Sequence, residues 1–155
     1  MSGPILLDVT RMAAWRWRGE PATGIDRVCH AYARQFGDRA HAAVQIAGRV
    51  GILDQAASRR LFDAFEAPTA RFRRTYASLL PSLRFASESR ASAHAVYLNV
   101  GHSGFDLPSH WRSLDRLRAP RVYLLHDLIP ITHPHLTTAH KAARHRGRVR
   151  GALAN

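Results

Sequence analysis

His126 and Asp127 stand side by side behind an apolar run, Val122-Tyr123-Leu124-Leu125, and ahead of Leu128-Ile129-Pro130-Ile131-Thr132-His133-Pro134. Consecutive apolar residues of this kind predict a strand covered by helices on both faces, and Pro130 and Pro134 predict that no regular helix follows at once. The pair then falls at the carboxyl end of a strand, where α/β sheets carry their chemistry, and a positioned polar group there can stabilise developing charge. The plainer reading of the same residues is a satisfied histidine at a strand terminus, with Asp127 starting a turn.

A second constellation, Thr23-Gly24-Ile25-Asp26-Arg27, opens a helix. Free N–H groups and the helix dipole favour an anion there, and Gly24 allows close approach; a simple cap by Thr23 is the alternative. Gly101-His102-Ser103-Gly104 is a third, a strand-end loop with two glycines that let a ligand come near the backbone. Neither the G-x-G-x-x-G fingerprint nor the G-x-x-x-x-G-K-[ST] phosphate loop occurs, and no G-x-S-x-G nucleophile elbow is present. Histidines 126, 133, 135, 140 and 145 crowd the last quarter of the chain, but no H-x-x-x-H pair falls on a predicted helix and no cysteine joins them, so no metal is expected. His140 and His145, among Lys141, Arg144, Arg146, Arg148 and Arg150, read as a solvated basic helix face that could also meet lipid headgroups or nucleic acid.

The elements that must position these residues follow from periodicity. Ile5 to Val9 reads as a strand, followed by a polar and aromatic loop containing Arg11, Trp15, Trp17, Arg18, Gly19 and Pro21. Ile25, Val28, Cys29, Tyr32 and Phe36 recur at helical spacing as far as Gly37. Ala42 to Ala47 reads as a second strand and Leu53 to Phe65 as a helix. From Pro68 to Ala93 the sequence is irregular, with some helix between Phe72 and Leu80. Ala95 to Val100 reads as a strand, Ser109 to Leu117 as a helix, and Thr137 or Thr138 caps a last helix running toward Leu153. Alternation of this kind predicts an α/β, Rossmann-like domain with a mainly parallel sheet and helices on both faces. The loops 10–23, 99–106 and 126–135 should then converge on one sheet edge, which is a binding site by default.

At 155 residues the chain has room for one domain, and a 46% hydrophobic composition is ample for a core. One cysteine, Cys29, excludes an internal disulfide and reads as a buried structural thiol, in keeping with a reducing cytoplasm. No segment approaches the roughly 20 apolar residues of a membrane span, and the amino terminus is unlike a signal sequence. A net charge of +12 favours polyanionic partners, although the basic residues are almost all arginine, as a compositional bias would also produce.

Taken together, Leu7-Asp8-Val9-Thr10-Arg11, Thr23-Gly24-Ile25-Asp26-Arg27-Val28, Tyr97-Leu98-Asn99-Val100-Gly101-His102-Ser103-Gly104 and the segment from His126 to Pro134 resemble the amino-terminal domain of bacterial family 4 glycosyltransferases. The resemblance implies the acceptor-side half of a GT-B enzyme that transfers a sugar from a nucleotide-sugar donor, with retention, to a glycan or lipid-linked acceptor. It implies that His126 and Asp127 act at the reacting centre. Gly24, Ile25 and Arg27 approach the donor phosphates, and Arg11, Asn99, Gly101, His102 and His133 contact the acceptor. No metal or other cofactor is implied. His135 stands where the family usually has an acidic residue.

The family continues into a donor-binding domain past the point where this sequence stops at Asn155. The expectation is therefore an incomplete domain over residues 1–155, inactive alone, poorly soluble, and cytoplasmic with peripheral contact to the anionic inner face of a membrane. Two alternatives compete with it: a basic, non-enzymatic nucleic-acid-binding module, and a subunit that completes a split transferase with a partner. The transferase reading expects no specific nucleic-acid partner.

Overall fold

The structure is a computed structural model that describes residues 3–85 and 95–154. The expected irregular stretch up to Ala93 lies partly outside these residues. Six strands form one sheet: β1 (Ile5–Asp8), β2 (Ala40–Ile46), β3 (Arg49–Ile52), β4 (Arg84–Phe85), β5 (Val96–Asn99) and β6 (Arg121–Tyr123), in the spatial order β4-β3-β2-β1-β5-β6. The pairs β1–β2, β1–β5 and β5–β6 are parallel, and β2–β3 and β3–β4 are antiparallel, so the sheet is mixed and mostly parallel as a Rossmann-like α/β fold requires.

Seven α-helices lie among the described residues: α1 (Thr10–Arg18), α2 (Gly24–Phe36), α3 (Gln55–Ala64), α4 (Thr69–Leu79), α5 (Pro108–Leu117), the single turn α6 (Ile129–Thr132) and α7 (Ala139–Ala154). Strand alternation divides the core in two. Leu7, Ala42 and Val44 face Met12, Cys29, Leu61 and Phe72 of α1 to α4, whereas Leu6, Ala43 and Tyr97 face Leu114 and Leu117 of α5. Helices therefore cover both faces, four on one and α5 on the other. Helix ends carry local signals: Asp54 Oδ1 accepts from Ala57 N at 2.8 Å, Thr138 Oγ1 from Lys141 N at 3.3 Å, and Gly19, at φ 73°, closes α1.

Four expectations need correction. Residues 10–18 are helical, not a loop: Met12 and Ala13 bury one side of α1, Trp15 packs against the same core, and Trp17 is exposed. The second strand spans Ala40–Ile46 and folds straight back into β3 through Ala47 and Gly48, both at positive φ (49° and 75°), the geometry of a two-residue hairpin turn. The strand before His126 is not covered on both sides. β6 is an edge strand on β5, and its Val122 is 49% exposed. Pro130 at the start of α6 occupies a first-turn position that needs no N–H donor, so it permits one helical turn. Among the described residues no helix is long and apolar enough to cross a membrane.

Candidate functional site

The strand order changes direction at β1. The chain leaves β1 for β2 on one side through α1 and α2, and β5 lies on the other side, connected onward to β6 through α5 on the opposite face. A crevice opens outside the carboxyl ends of strands at such a switch point, and ligands of open α/β sheets bind there. At that place the structure has a cleft of about 500 Å³ whose walls include Arg11 of α1, Ile25 of α2, His102 from the loop after β5, and Asp127 and Pro130 after β6. The three converging segments anticipated from the sequence thus meet, and α7 closes the cleft with Lys141, Arg144, His145 and Arg148.

Arg11 is held by its neighbours. Its Nε donates to Asp26 Oδ1 at 2.7 Å and its Nη2 to Thr23 Oγ1 at 3.2 Å. Asp26 in turn completes a capping box with Thr23, accepting from the Thr23 backbone N–H at 2.9 Å. Burial pushes the Asp26 carboxyl up, but the hydrogen bonds from Thr23 and Arg11 outweigh it and hold the group below the usual carboxylate range. The start of α2 therefore already carries its own carboxylate. A Cβ on Gly101 would lie 3.0 Å from Arg11 Cβ and 3.4 Å from Cys29 Sγ, so this glycine lets the β5 loop press against the Arg11 stem.

His102 is buried and sits at φ 58°, a left-handed conformation that few non-glycine residues adopt. Its Nε2 accepts from the His126 backbone N–H at 3.1 Å, which assigns the ring proton to Nδ1. Burial first, and then the neighbouring His126, Arg148 and His145, push His102 down to about 4, so it is neutral at physiological pH. The His126 ring donates from Nε2 to the Val100 carbonyl at 2.7 Å and packs 4.9 Å from His102. The Asp127 carboxylate accepts from Ile129 N at 3.0 Å in the turn before α6, and its carbonyl accepts from His145 Nε2 at 2.9 Å.

Behind the cleft, at the end of β1, the buried Asp8 accepts from the Tyr97 hydroxyl, from Gln45 Nε2 at 2.7 Å and from Thr10 N at 2.9 Å. Burial raises its pKa against these donors. Gln45 Nε2 also donates to the Ser103 carbonyl at 2.9 Å, so Asp8 braces the β5 loop through one side chain.

Of the residues expected at the site, Arg11, Ile25, His102 and Asp127 line the cleft together. His126 does not line it and lies directly behind His102. Gly24 is exposed at the helix start with open space where a Cβ would be. Arg27 lies on the other side of α2, in a second cleft with Trp15, Asp26, His30 and Glu66. Asn99 is fully buried, its amide taken up by Gly101 N (3.1 Å) and the Ser103 carbonyl (2.9 Å), so it shapes the loop and offers nothing to a ligand. His133 is exposed beside Thr132 and His135, away from the cleft.

The basic face of α7 is the largest departure from the sequence reading. His145 is only 4% exposed and packs 5.7 Å from His102, and Arg148 joins Arg144 on Asp106 instead of facing open solvent. The spacing 141, 144, 145, 148 is a helical stripe and was the available signal. Among the described residues no group of histidine, cysteine and carboxylate side chains is arranged to hold a metal ion. Comparison of the chain with family models, with curated proteins and with solved structures finds no match.

Proposed function

We propose that this chain is the acceptor-side domain of a retaining GT-B glycosyltransferase that uses a nucleotide-sugar donor and a glycan or lipid-linked acceptor. The observation that carries the reading is the cleft at the β1/β5 switch point, where Arg11, Ile25, His102 and Asp127 from separate resembling motifs line one wall. The work takes place in the cytoplasm at the inner face of a membrane, with no metal or other cofactor.

In this reading a departing nucleoside diphosphate gains negative charge, which the cations around the cleft stabilise, and the sugar gains oxocarbenium character, which favours a fixed polar group on its face. Asp127 borders the space where the sugar would sit. His126, with Nε2 committed to Val100 and its ring packed on His102, holds in place the segment that presents Asp127 to the ligand. His102 keeps His126 in place through its backbone N–H.

Genetic complementation tests the proposal with the protein as the cell makes it. Deleting the gene should remove a cell-surface or lipid-linked glycan; the wild-type gene should restore it, and His126→Ala or Asp127→Ala should not. An unchanged glycan profile after deletion would overturn the reading, as would tight, steeply salt-dependent retention of single-stranded oligonucleotide by the purified protein.

A further inference from the structure

The segment after β6 presents apolar side chains to solvent. Leu128, Ile129 and Leu136 are 48%, 51% and 68% exposed, three large aliphatic residues on one short stretch of chain. Backbone hydrogen bonds fold that stretch into a compact knob. Ile131 N donates to the Leu128 carbonyl and His133 N to the Ile129 carbonyl, both at 2.8 Å, and Leu136 N donates to the His133 carbonyl at 3.0 Å. α6 thus runs straight into a 3-10 turn, Pro134–Leu136. A single exposed aliphatic residue needs no explanation, whereas several on one knob of fixed backbone mark a contact surface. The knob also forms part of the cleft rim, because Pro130, Thr137 and Lys141 line the cleft.

The formal charge beside the knob is of one sign. From Leu128 onward the sequence contains no Asp or Glu, and α7 carries five cationic side chains. Asp106 takes up two of them, Arg144 and Arg148. Lys141, exposed on the first turn of α7 next to the knob, has no ion-pair partner among the described residues, and neither do the exposed Arg146 and Arg150 further along. Asp127 stands at the base of the knob, where its carboxylate accepts from Ile129 N.

We propose that the knob is a lipid-docking surface: Leu128, Ile129 and Leu136 enter the interfacial layer of an anionic bilayer, and Lys141 meets its headgroups, with Arg146 and Arg150 adding to the attraction. Aliphatic tips beside unpaired cations suit a charged lipid interface, since the tips leave water there and each cation near the surface strengthens binding about fivefold. A second copy of the chain would set the same carboxylate-free surface against itself, and like charges repel. A polynucleotide prefers aromatic platforms, and no Phe, Tyr or Trp occurs from Leu128 onward. The purpose of the contact, bringing a lipid-linked acceptor to the cleft beside the knob, rests on the transferase reading; the surface itself is read from exposure and charge.

Flotation of the purified protein with phosphatidylcholine vesicles, and with mixed phosphatidylcholine and phosphatidylglycerol vesicles, tests the proposal without confusing binding with aggregation. The protein should float with the mixed vesicles. Ile129→Ser, Leu136→Ser and Lys141→Ala should each weaken that binding roughly fivefold. Arg71→Ala, at an exposed position of α4, removes the same unit of charge as Lys141→Ala and should leave binding unchanged within about twofold. Matching circular dichroism and melting curves show that a weakened variant is still folded. An environment-sensitive dye on Leu136→Cys should shift to the blue when mixed vesicles are added, and the same dye on Arg71→Cys should not; Cys29 is buried and stays unlabelled.

Flotation that depends on the knob residues and on anionic lipid, with the dye shift, supports the proposal. Absence of flotation overturns it, as does flotation that all variants share with the wild type, which would mean that net charge alone adsorbs the protein. A dimer that Leu136→Ser dissociates, without flotation, overturns it and gives the face to a second copy. If the variants lose vesicle binding while gene deletion alters no glycan, the lipid surface stands and the transferase reading falls; if deletion removes a glycan and the protein does not float, the reverse holds.

Discussion

His102 and His126 are joined twice, by a 3.1 Å hydrogen bond from the His126 backbone N–H to His102 Nε2 and by ring packing at 4.9 Å. The join links the loops after β5 and β6, which share no sequence neighbourhood, and it makes His102 the only acceptor shown for that N–H among the described residues. Replacing His102 by Ala removes the acceptor and keeps the left-handed backbone, so a loss of about 2–3 kcal/mol is expected in urea unfolding. His102→Asn, which tolerates positive φ, should lose less.

Buried histidines give the fold an acid limit. His102 and His110 are both pushed from 6.5 down to about 4, each by burial first, with His126 the next cause for His102 and Arg121 for His110. The unfolded chain therefore takes up these protons before the folded one. Stability is complete above 6.5 and declines as pH falls toward 4, by up to about 3 kcal/mol per histidine. Asp8, raised by burial, works in the opposite direction, so the slope is best read by difference. His110→Phe should flatten the decline in urea midpoint across this window. At neutral pH it should change stability by less than about 1 kcal/mol, because the lost Tyr123 contact is offset by removing a buried Nδ1 without a partner.

Gly104→Ala tests the brace behind the cleft. Gly104 has φ 73°, and a Cβ there would lie 1.9 Å from Gln45 Oε1. Gln45 cannot move aside without losing its bonds to Asp8 and the Ser103 carbonyl. Backbone strain and the lost bonds together should cost about 2–4 kcal/mol and weaken any ligand bound beside His102. Wild-type stability in the alanine variant would show that the brace is not needed.

A double-mutant cycle measures the Arg11–Asp26 contact. Arg11→Met alone leaves a buried carboxylate with only Thr23 as partner and should cost about 1–3 kcal/mol. Adding Asp26→Asn should return part of that loss, giving a coupling of about 1 kcal/mol. Additive losses would mean that solvent screens the pair at the partly exposed arginine.

Cys29 should behave as a core residue. Burial pushes its thiol up to about 12, and Sγ lies 3.6 Å from the Val100 carbonyl. Reaction with a thiol reagent should follow global unfolding and become fast only in denaturant. Rapid labelling of the native protein would place Cys29 at the surface.

Long periodic elements were legible in the sequence and short ones were not. The helical repeat from Ile25 to Phe36 marked α2, and the run to Leu117 marked α5. α1 is not legible because only Met12 and Ala13 of its residues are buried, and Val9 offers no capping side chain. β3 is four residues long and enters through Ala47-Gly48, where alanine at positive φ hides a turn usually marked by asparagine or aspartate. At the site, the meeting of the three loop segments followed from strand order. Asn99 looked like a ligand contact because residue type does not show that an amide is already bonded within its own loop. The α7 stripe looked solvated because nothing local reveals that Asp106 and Asp127 await it.

The contact between Arg11 and Asp26 ties two clefts together. Arg11 borders the cleft at the sheet edge and Asp26 borders the neighbouring one beside Trp15 and Arg27, so one ion pair is the shared wall of both. Breaking that pair reshapes both clefts at once, so a substitution at Arg11 or Asp26 perturbs the walls of two clefts on opposite sides of α2.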